Sequence, residues 1–251
     1  MDYWYAYVYE QQEAQTEDVE FLLSVVGTEA KRILEVACGG GRLCIPLAQA
    51  GHSVTGFDMD AAMLERAWRK AGTLPNLTCY QADALASDWG KNFEIVVMAG
   101  NIFINIVTAG DYRDAQRLFL QKASACLEPA GHLYLDFDCV NWANGVSEGR
   151  REWVCFEGSD DRGTYGKYIV LSGNYDSHTR VDRSGRRYEI APRGSEAFVM
   201  ERNWIKHFPT LEETCSWLYE AGFTVEQLYG GHGKQPFSDE NRRLVIWAKK
   251  L

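Results

Sequence analysis

"ILEVACGGGRLCIPLAQAGHSVTGFDMD", Ile33 to Asp60, decides how this chain is read. "RILEVA" (32–37) is apolar enough for a strand buried on both faces. Three consecutive glycines follow, where the chain must turn sharply into the helix "GRLCIPLAQAG" (41–51). A second strand, "SVTGFD" (53–58), ends on Asp58. Glycine tolerates positive φ, and the missing Cβ lets backbone come close to a ligand. A Cβ at Gly39 or Gly41 is expected to intrude on that ligand's volume.

Outward from this stretch the pattern is that of an α/β protein. "TEDVEFLLSVVG" (16–27) predicts a helix stopping at Gly27, and Asp60 is placed to cap the helix "AAMLERAWRKAG". "LTCYQAD" (77–83), "FEIVVMAG" (93–100) and "GHLYLDFDC" (131–139) predict three further strands, the last preceded by a helix opened by Asp111 and by the turn "EPAG". Strands separated by helical patterns imply parallel pairing with right-handed crossovers. From 140 to 207 the helical period vanishes, and short alternating runs broken by "SGN" and "RSG" predict hairpins. Thr210 and Glu213 then form a capping box, with Gly222 as helix stop. The final strands, "FTVEQLYG" (223–230) and "RRLVIWAKK" (242–250), are joined by a loop too short for a crossover helix, so they must be antiparallel. The predicted fold is a Rossmann-like α/β domain: a seven-stranded, mostly parallel sheet with a terminal antiparallel hairpin. Residues 1–139 and 208–251 make its core, 1–29 being a helical lid, and 140–207 an antiparallel β insertion.

Of the 251 residues 46% are hydrophobic and 24% charged, which suits one globular domain carrying one large insertion. The net charge of −9 argues against a nucleic-acid partner, which calls for a basic face. No apolar run reaches the roughly 18 residues of a membrane span, and the start lacks a signal-peptide pattern. A cytoplasmic protein with no membrane partner is expected. Seven cysteines are scattered with no CxxC spacing, so reduced, mostly buried thiols and no zinc site or other metal are expected. The segment 140–207 carries 11 Lys+Arg against 10 Asp+Glu. Its cluster Arg180, Arg183, Arg186, Arg187 and Arg193 reads as a solvated hairpin face, with an anionic-substrate contact as the alternative.

Two ligands suit a bare strand–helix turn with a carboxylate beyond it, a dinucleotide and S-adenosylmethionine. The dinucleotide fingerprint G-x-G-x-x-G, counted from Gly39, requires a third glycine where Cys44 stands. The segment instead has the form acidic-x-small-x-Gly-x-Gly: Glu35, Ala37, Gly39, Gly41. With Asp58 it resembles motifs I and II of class I S-adenosylmethionine-dependent methyltransferases, most closely the glycine N-methyltransferase-like and amino-sugar N-methyltransferase branch. "YAYVYE", "FEIVVMAGNIFINI", "LEPAGHLYLDFD" and "RRLVIWAKK" extend the resemblance over nearly all the chain outside 140–207. Family members usually carry glycine at the position of Ala37 and a non-glycine residue at that of Gly40. The resemblance implies S-adenosylmethionine as cofactor and S-adenosylhomocysteine as product. Glu35 and the backbone of Ala37, Gly39 and Gly41 would surround the methionine end, and Asp58, followed by Met59, would take the ribose hydroxyls. Asp83 and Ala84 would meet the adenine, with Asp83 as a mere cap of the turn "ALASDW" the alternative, and Ala99 and Gly100 the sulfonium and its methyl group. Tyr5 and Tyr9 of the N-terminal segment would fold over the cofactor.

Methyl transfer from a sulfonium needs alignment and dryness more than a covalent intermediate, and no catalytic dyad stands out. "MAGNIFIN" (98–105) lacks the Asn/Asp-Pro-Pro-aromatic pattern of nucleobase amine methylation. A small-molecule acceptor is therefore expected, with an amine nitrogen favoured; Asn101 and Asn105 are expected to contact the acceptor or the cofactor, with a helix or turn cap the equal alternative for Asn105. His232, in a glycine-flanked loop, is the candidate base, which an O-methyltransferase without metal would require. A non-catalytic cofactor binder is the other alternative, and a homodimer stays open. Insertion aromatics Trp142, Trp153, Phe156, Tyr165, Tyr168 and Tyr175 would wall the acceptor pocket or form a satellite core.

Overall fold

The computed structural model describes residues 2–12, 16–106, 110–139 and 152–251; Trp142 lies outside them. Strand β1 (Arg32–Val36) sends Ile33 and Glu35 to one face and Leu34 and Val36 to the other, and all four are buried. A strand enclosed on both faces belongs in the middle of a sheet covered by helices on each side. The sheet order is β10-β11-β5-β4-β1-β2-β3, with β2 (Ser53–Asp58), β3 (Leu77–Gln81), β4 (Phe93–Met98), β5 (Leu127–Asp138), β10 (Phe223–Tyr229) and β11 (Arg243–Lys250). The first five strands pair in parallel, and β11 is antiparallel to both β5 and β10.

Helices α2 (Glu17–Val26), α3 (Cys44–Gln49) and α4 (Ala61–Ala71) supply the core on the face of Ile33. Helices α5 (Tyr112–Cys126) and α6 (Leu211–Glu220) supply it on the face of Leu34. Asp60 caps α4 by accepting from the N–H groups of Ala62 and Met63. The Thr210–Glu213 capping box opens α6 with both of its hydrogen bonds formed.

A second, antiparallel sheet holds β6 (Glu152–Ser159), β7 (Tyr165–Asp176), β8 (Val181–Ala191) and β9 (Phe198–His207) in that order. Its hairpin turn is not where the glycines predict it. "SGN" and "RSG" sit inside β7 and β8, opposite a register shift between Leu171 and Asn174, and the reversal falls at 177–180. There Asp176 accepts from the N–H groups of His178 and Thr179. Gly173 and Gly185 serve close approach: a Cβ would lie 2.4 Å from Arg183 O or 2.8 Å from Leu171 Cδ1.

Helix α1 (Asp2–Gln12) joins the two sheets. Trp4, 1% exposed, packs edge-on to Phe156, and its indole N–H donates to Gly158 O at 3.2 Å. A Cβ on Gly166 would strike that indole at 2.5 Å, so the β7 glycine provides its seat. On its other side Glu10 pairs with Arg66 and Lys70 of α4. Trp4→Ala is expected to cost about 3–5 kcal/mol of this docking. Hydrogen exchange should then show at least a hundredfold loss of protection over Asp2–Gln12, with protection in β1 unchanged.

Candidate functional site

The carboxyl ends of β1, β2, β3 and β4 meet at one edge of the main sheet, where open α/β sheets place their ligands. After β1 the chain reverses through Ala37 and Gly39, at φ 57° and 52°. For Ala37 this left-handed conformation is strained by about 1–2 kcal/mol. The turn is tied to β2 by Cys38 N–H donating to Phe57 O at 2.9 Å. Asp58 completes the tie. Its Oδ2 accepts the Gly39 N–H at 2.8 Å and its Oδ1 the Asp60 N–H at 2.9 Å. Each oxygen keeps lone-pair capacity for a further donor. Burial raises the Asp58 pKa against the opposing pull of these backbone bonds.

A cleft of about 520 Å³ opens over this turn, a size that suits a small-molecule site. Glu35, Ala37, Gly39, Asp58 and Met59 line one side, and Ala84, Ala99 and Gly100 another. A Cβ on Gly39 would meet no protein atom within 4 Å. Tyr5 and Tyr9 close over the cleft from α1, and Tyr5 stands edge-on to Tyr188 at 5.5 Å. Burial, with Tyr168 nearby, pushes the Tyr5 hydroxyl up to about 12.

Two polar atoms facing this region lack partners. Glu35 is wholly buried, and desolvation pushes its carboxyl up to about 8; its Oε2 has no hydrogen bond among the described residues. Asn105, also lining the cleft, has a buried Oδ1 with no hydrogen-bond partner among the described residues. Unsatisfied buried acceptors are costly, so both fit donor groups brought by a ligand.

Four expected residues lie elsewhere. Gly41 is left-handed at φ 82°, but a Cβ there would meet Ile45 Cδ1 at 2.8 Å; it makes room for α3 and α4, not for a ligand. Asp83 closes its own turn by accepting from Leu85 N–H at 2.7 Å and Ala86 N–H at 3.3 Å, and Ala82 takes its place in the lining. Asn101 is consumed by β5: its Nδ2 donates to Asp138 Oδ2, and its Oδ1 accepts Asp138 N–H, both at 2.8 Å. His232 sits 3.2 Å from the fully buried Asp136 and against Phe21, away from the cleft. Of the insertion aromatics expected to wall the pocket, the described ones (Trp153, Phe156, Tyr165, Tyr168 and Tyr175) are not in the lining. Trp153 and Tyr165 are exposed, while Phe156 and Tyr168 pack with α1. Arg180 and Arg187 of the basic cluster pair with Glu213 and Glu152.

Asn203, Trp204 and Ile205 of β9 are the insertion's contribution to the lining. The sequence carries no local signal for them, because their place at the cleft follows from where β9, the edge strand of the second sheet, lies. Arg42, also unforeseen, lines the cleft and pairs with Asp18 of α2. No helix among the described residues is long and apolar enough to cross a membrane.

Residues 33–131 match the methyltransferase domain family. Over 110 residues the chain is 34% identical to the ubiquinone biosynthesis O-methyltransferase of Chelativorans sp. strain BNC1, covering 43% of this chain and 40% of that one. The chain thus spans about two fifths of that relative's length. An S-adenosylmethionine-dependent methyltransferase from Clostridium acetobutylicum superposes with a TM-score of 0.77 at 13% identity, over 98% and 97% of the two chains. The sugar N-methyltransferase KedS8 from Streptoalloteichus sp. does so with a TM-score of 0.66 at 21% identity, over 93% and 86%. The fold is that of the class I methyltransferases, as the strand pattern predicts.

Glu35 yields a pH signature. Its folded pKa, about 8, lies above the ordinary 4.5, so the folded chain holds this proton more tightly than the unfolded chain. The resulting stability is full below about pH 4.5 and is lost as the pH rises through about 8. Without ligand, the melting temperature of wild type should fall more steeply across that window than that of Glu35→Gln, as followed by circular dichroism.

Proposed function

We propose that this chain, which carries a methyltransferase domain in the class I fold, moves the methyl group of S-adenosylmethionine to an amine nitrogen of a small molecule. The observation that carries the reading is the pairing, in one cleft, of the Asp58-clasped turn with the unpartnered oxygens of Glu35 and Asn105. The likeness to a sugar N-methyltransferase supports an amino-sugar or similarly compact polar amine as acceptor.

S-adenosylmethionine supplies a methyl group on a positively charged sulfur, open to in-line displacement. The residues present fit it. Asp58 would accept from both ribose hydroxyls with its remaining lone pairs. Ala82 and Ala84 would flank the base. Glu35 would meet the methionine ammonium, whose charge favours the ionised carboxylate that burial alone disfavours. Ala99 and Gly100, small residues past β4, leave room at the sulfur. Tyr5, Tyr9 and Trp204 would keep water from the reacting atoms. The acceptor nitrogen forms a bond to the methyl carbon as the carbon–sulfur bond breaks, and the nitrogen then gives up a proton. Asn105 Oδ1 would hold an N–H of the acceptor so that its lone pair points along that line. Methyl transfer to an acceptor oxygen with His232 as base is not supported, since that imidazole is engaged by Asp136 outside the cleft.

The test is transfer of isotopically labelled methyl from S-adenosylmethionine to a panel of amino sugars, small amino acids and catechols. Label in an N-methyl product is expected, whereas label appearing solely in aryl ethers contradicts the amine assignment. Asn105→Ala should lower kcat/KM about tenfold, one hydrogen bond's worth, while S-adenosylhomocysteine affinity measured by calorimetry changes less than about twofold.

A further inference from the structure

Three cysteines far apart in the chain meet behind the glycine turn. Cys38 lies in the turn, Cys44 opens α3 and Cys79 sits within β3. Their sulfur atoms all lie within 4.8 Å of one another. The parallel register of β2 and β3 sets Gly56 beside Cys79. A Cβ on Gly56 would stand 2.9 Å from Cys38 Sγ and 3.5 Å from Cys79 Sγ, so the absent side chain provides the space in which the thiols gather.

Their spacing has chemical meaning. Cys44 Sγ and Cys79 Sγ are 3.9 Å apart, far beyond the roughly 2.05 Å of a disulfide. With metal–sulfur bonds of about 2.3 Å, sulfurs around one ion stand roughly 3.8–4.0 Å apart in tetrahedral or trigonal geometry. The thiols are therefore close to a ligand arrangement before any ion arrives. Cys38 lines the cleft, Cys44 is buried and Cys79 is half-buried. Among the described residues no histidine or carboxylate lies within the same mutual reach of all three sulfurs, although the Glu35 carboxylate accepts a hydrogen bond from Cys44. A four-ligand structural zinc site is thus incomplete, whereas soft ions that accept three sulfurs are suited.

We propose that Cys38, Cys44 and Cys79 form a binding site for a soft, thiophilic cation, held by three sulfurs behind the turn of the cleft. Each thiol that becomes a ligand releases its proton to solvent, and no electron is transferred. The competing account is that the three are core filler, since a free cysteine packs as a small apolar residue.

Titration of the reduced full-length protein with Cd²⁺, followed by the near-ultraviolet thiolate-to-cadmium charge-transfer band and by competition with a chelator, separates the two. One ion per chain is expected. Cys79→Ser and Cys44→Ser should each weaken binding about a hundredfold and reduce the band. Cys155→Ser and Cys215→Ser, in β6 and α6, should leave both unchanged. Cys79 is partly exposed, so Cys79→Ser tests the site even where Cys44→Ser does not fold. A wild type without the band, or a Cys79→Ser protein that keeps wild-type band and affinity, overturns the proposal.

Discussion

The site depends on the clasp between the Asp58 carboxylate and the Gly39 amide. It joins the end of β2 to the turn after β1, alongside the ladder bonds and the Cys38–Phe57 bond between them. A turn that includes Ala37 in the left-handed region stores strain, and strained backbone persists only where its surroundings fix it. The same carboxylate also accepts the N–H of Asp60, whose side chain caps α4. One side chain thereby fixes the turn, the end of β2 and the entry to α4, and still has lone pairs facing the cleft.

Helix α1 packs against this arrangement. Glu10 of α1 reaches Arg66 and Lys70 of α4, and a Cβ on Gly40 would come within 2.8 Å of Glu10 Oε1. Gly40, the unusual third glycine, thus lets α1 lie against the turn. The opposite side of α1 is fixed by Trp4 in the second sheet. Helix α1 and the insertion's sheet therefore pack together. The cleft's two halves have separate origins, strand tips for the proposed cofactor and β9 with α1 for its cover and the acceptor.

What the sequence disclosed was local. Strand and helix periods, the Asp60 cap, the Thr210–Glu213 box and the spacing from Gly39 to Asp58 lie within short stretches, and each has a physical signature readable without neighbours. The misplaced features depend on contacts between distant segments. Asn101 lies where a polar contact was expected, yet Asp138, 37 positions on, takes both ends of its amide. His232 was read by its glycine-flanked loop, but Asp136 and Phe21 determine where its ring goes. The glycines of β7 and β8 read as turns because glycine marks both turns and close approach, and only strand register separates the two. The cysteine trio is equally invisible, since no two of its members have ligand spacing in the chain.

The central claim is that the Asp58 clasp and its remaining lone pairs hold the nucleoside of S-adenosylmethionine. Calorimetric titration of S-adenosylhomocysteine into wild type and Asp58→Ala tests it most directly, with circular dichroism to establish that both are folded. Loss of hydrogen bonds to a charged acceptor predicts an affinity at least about a hundredfold weaker in the variant. Equal affinity in the two proteins would contradict the account.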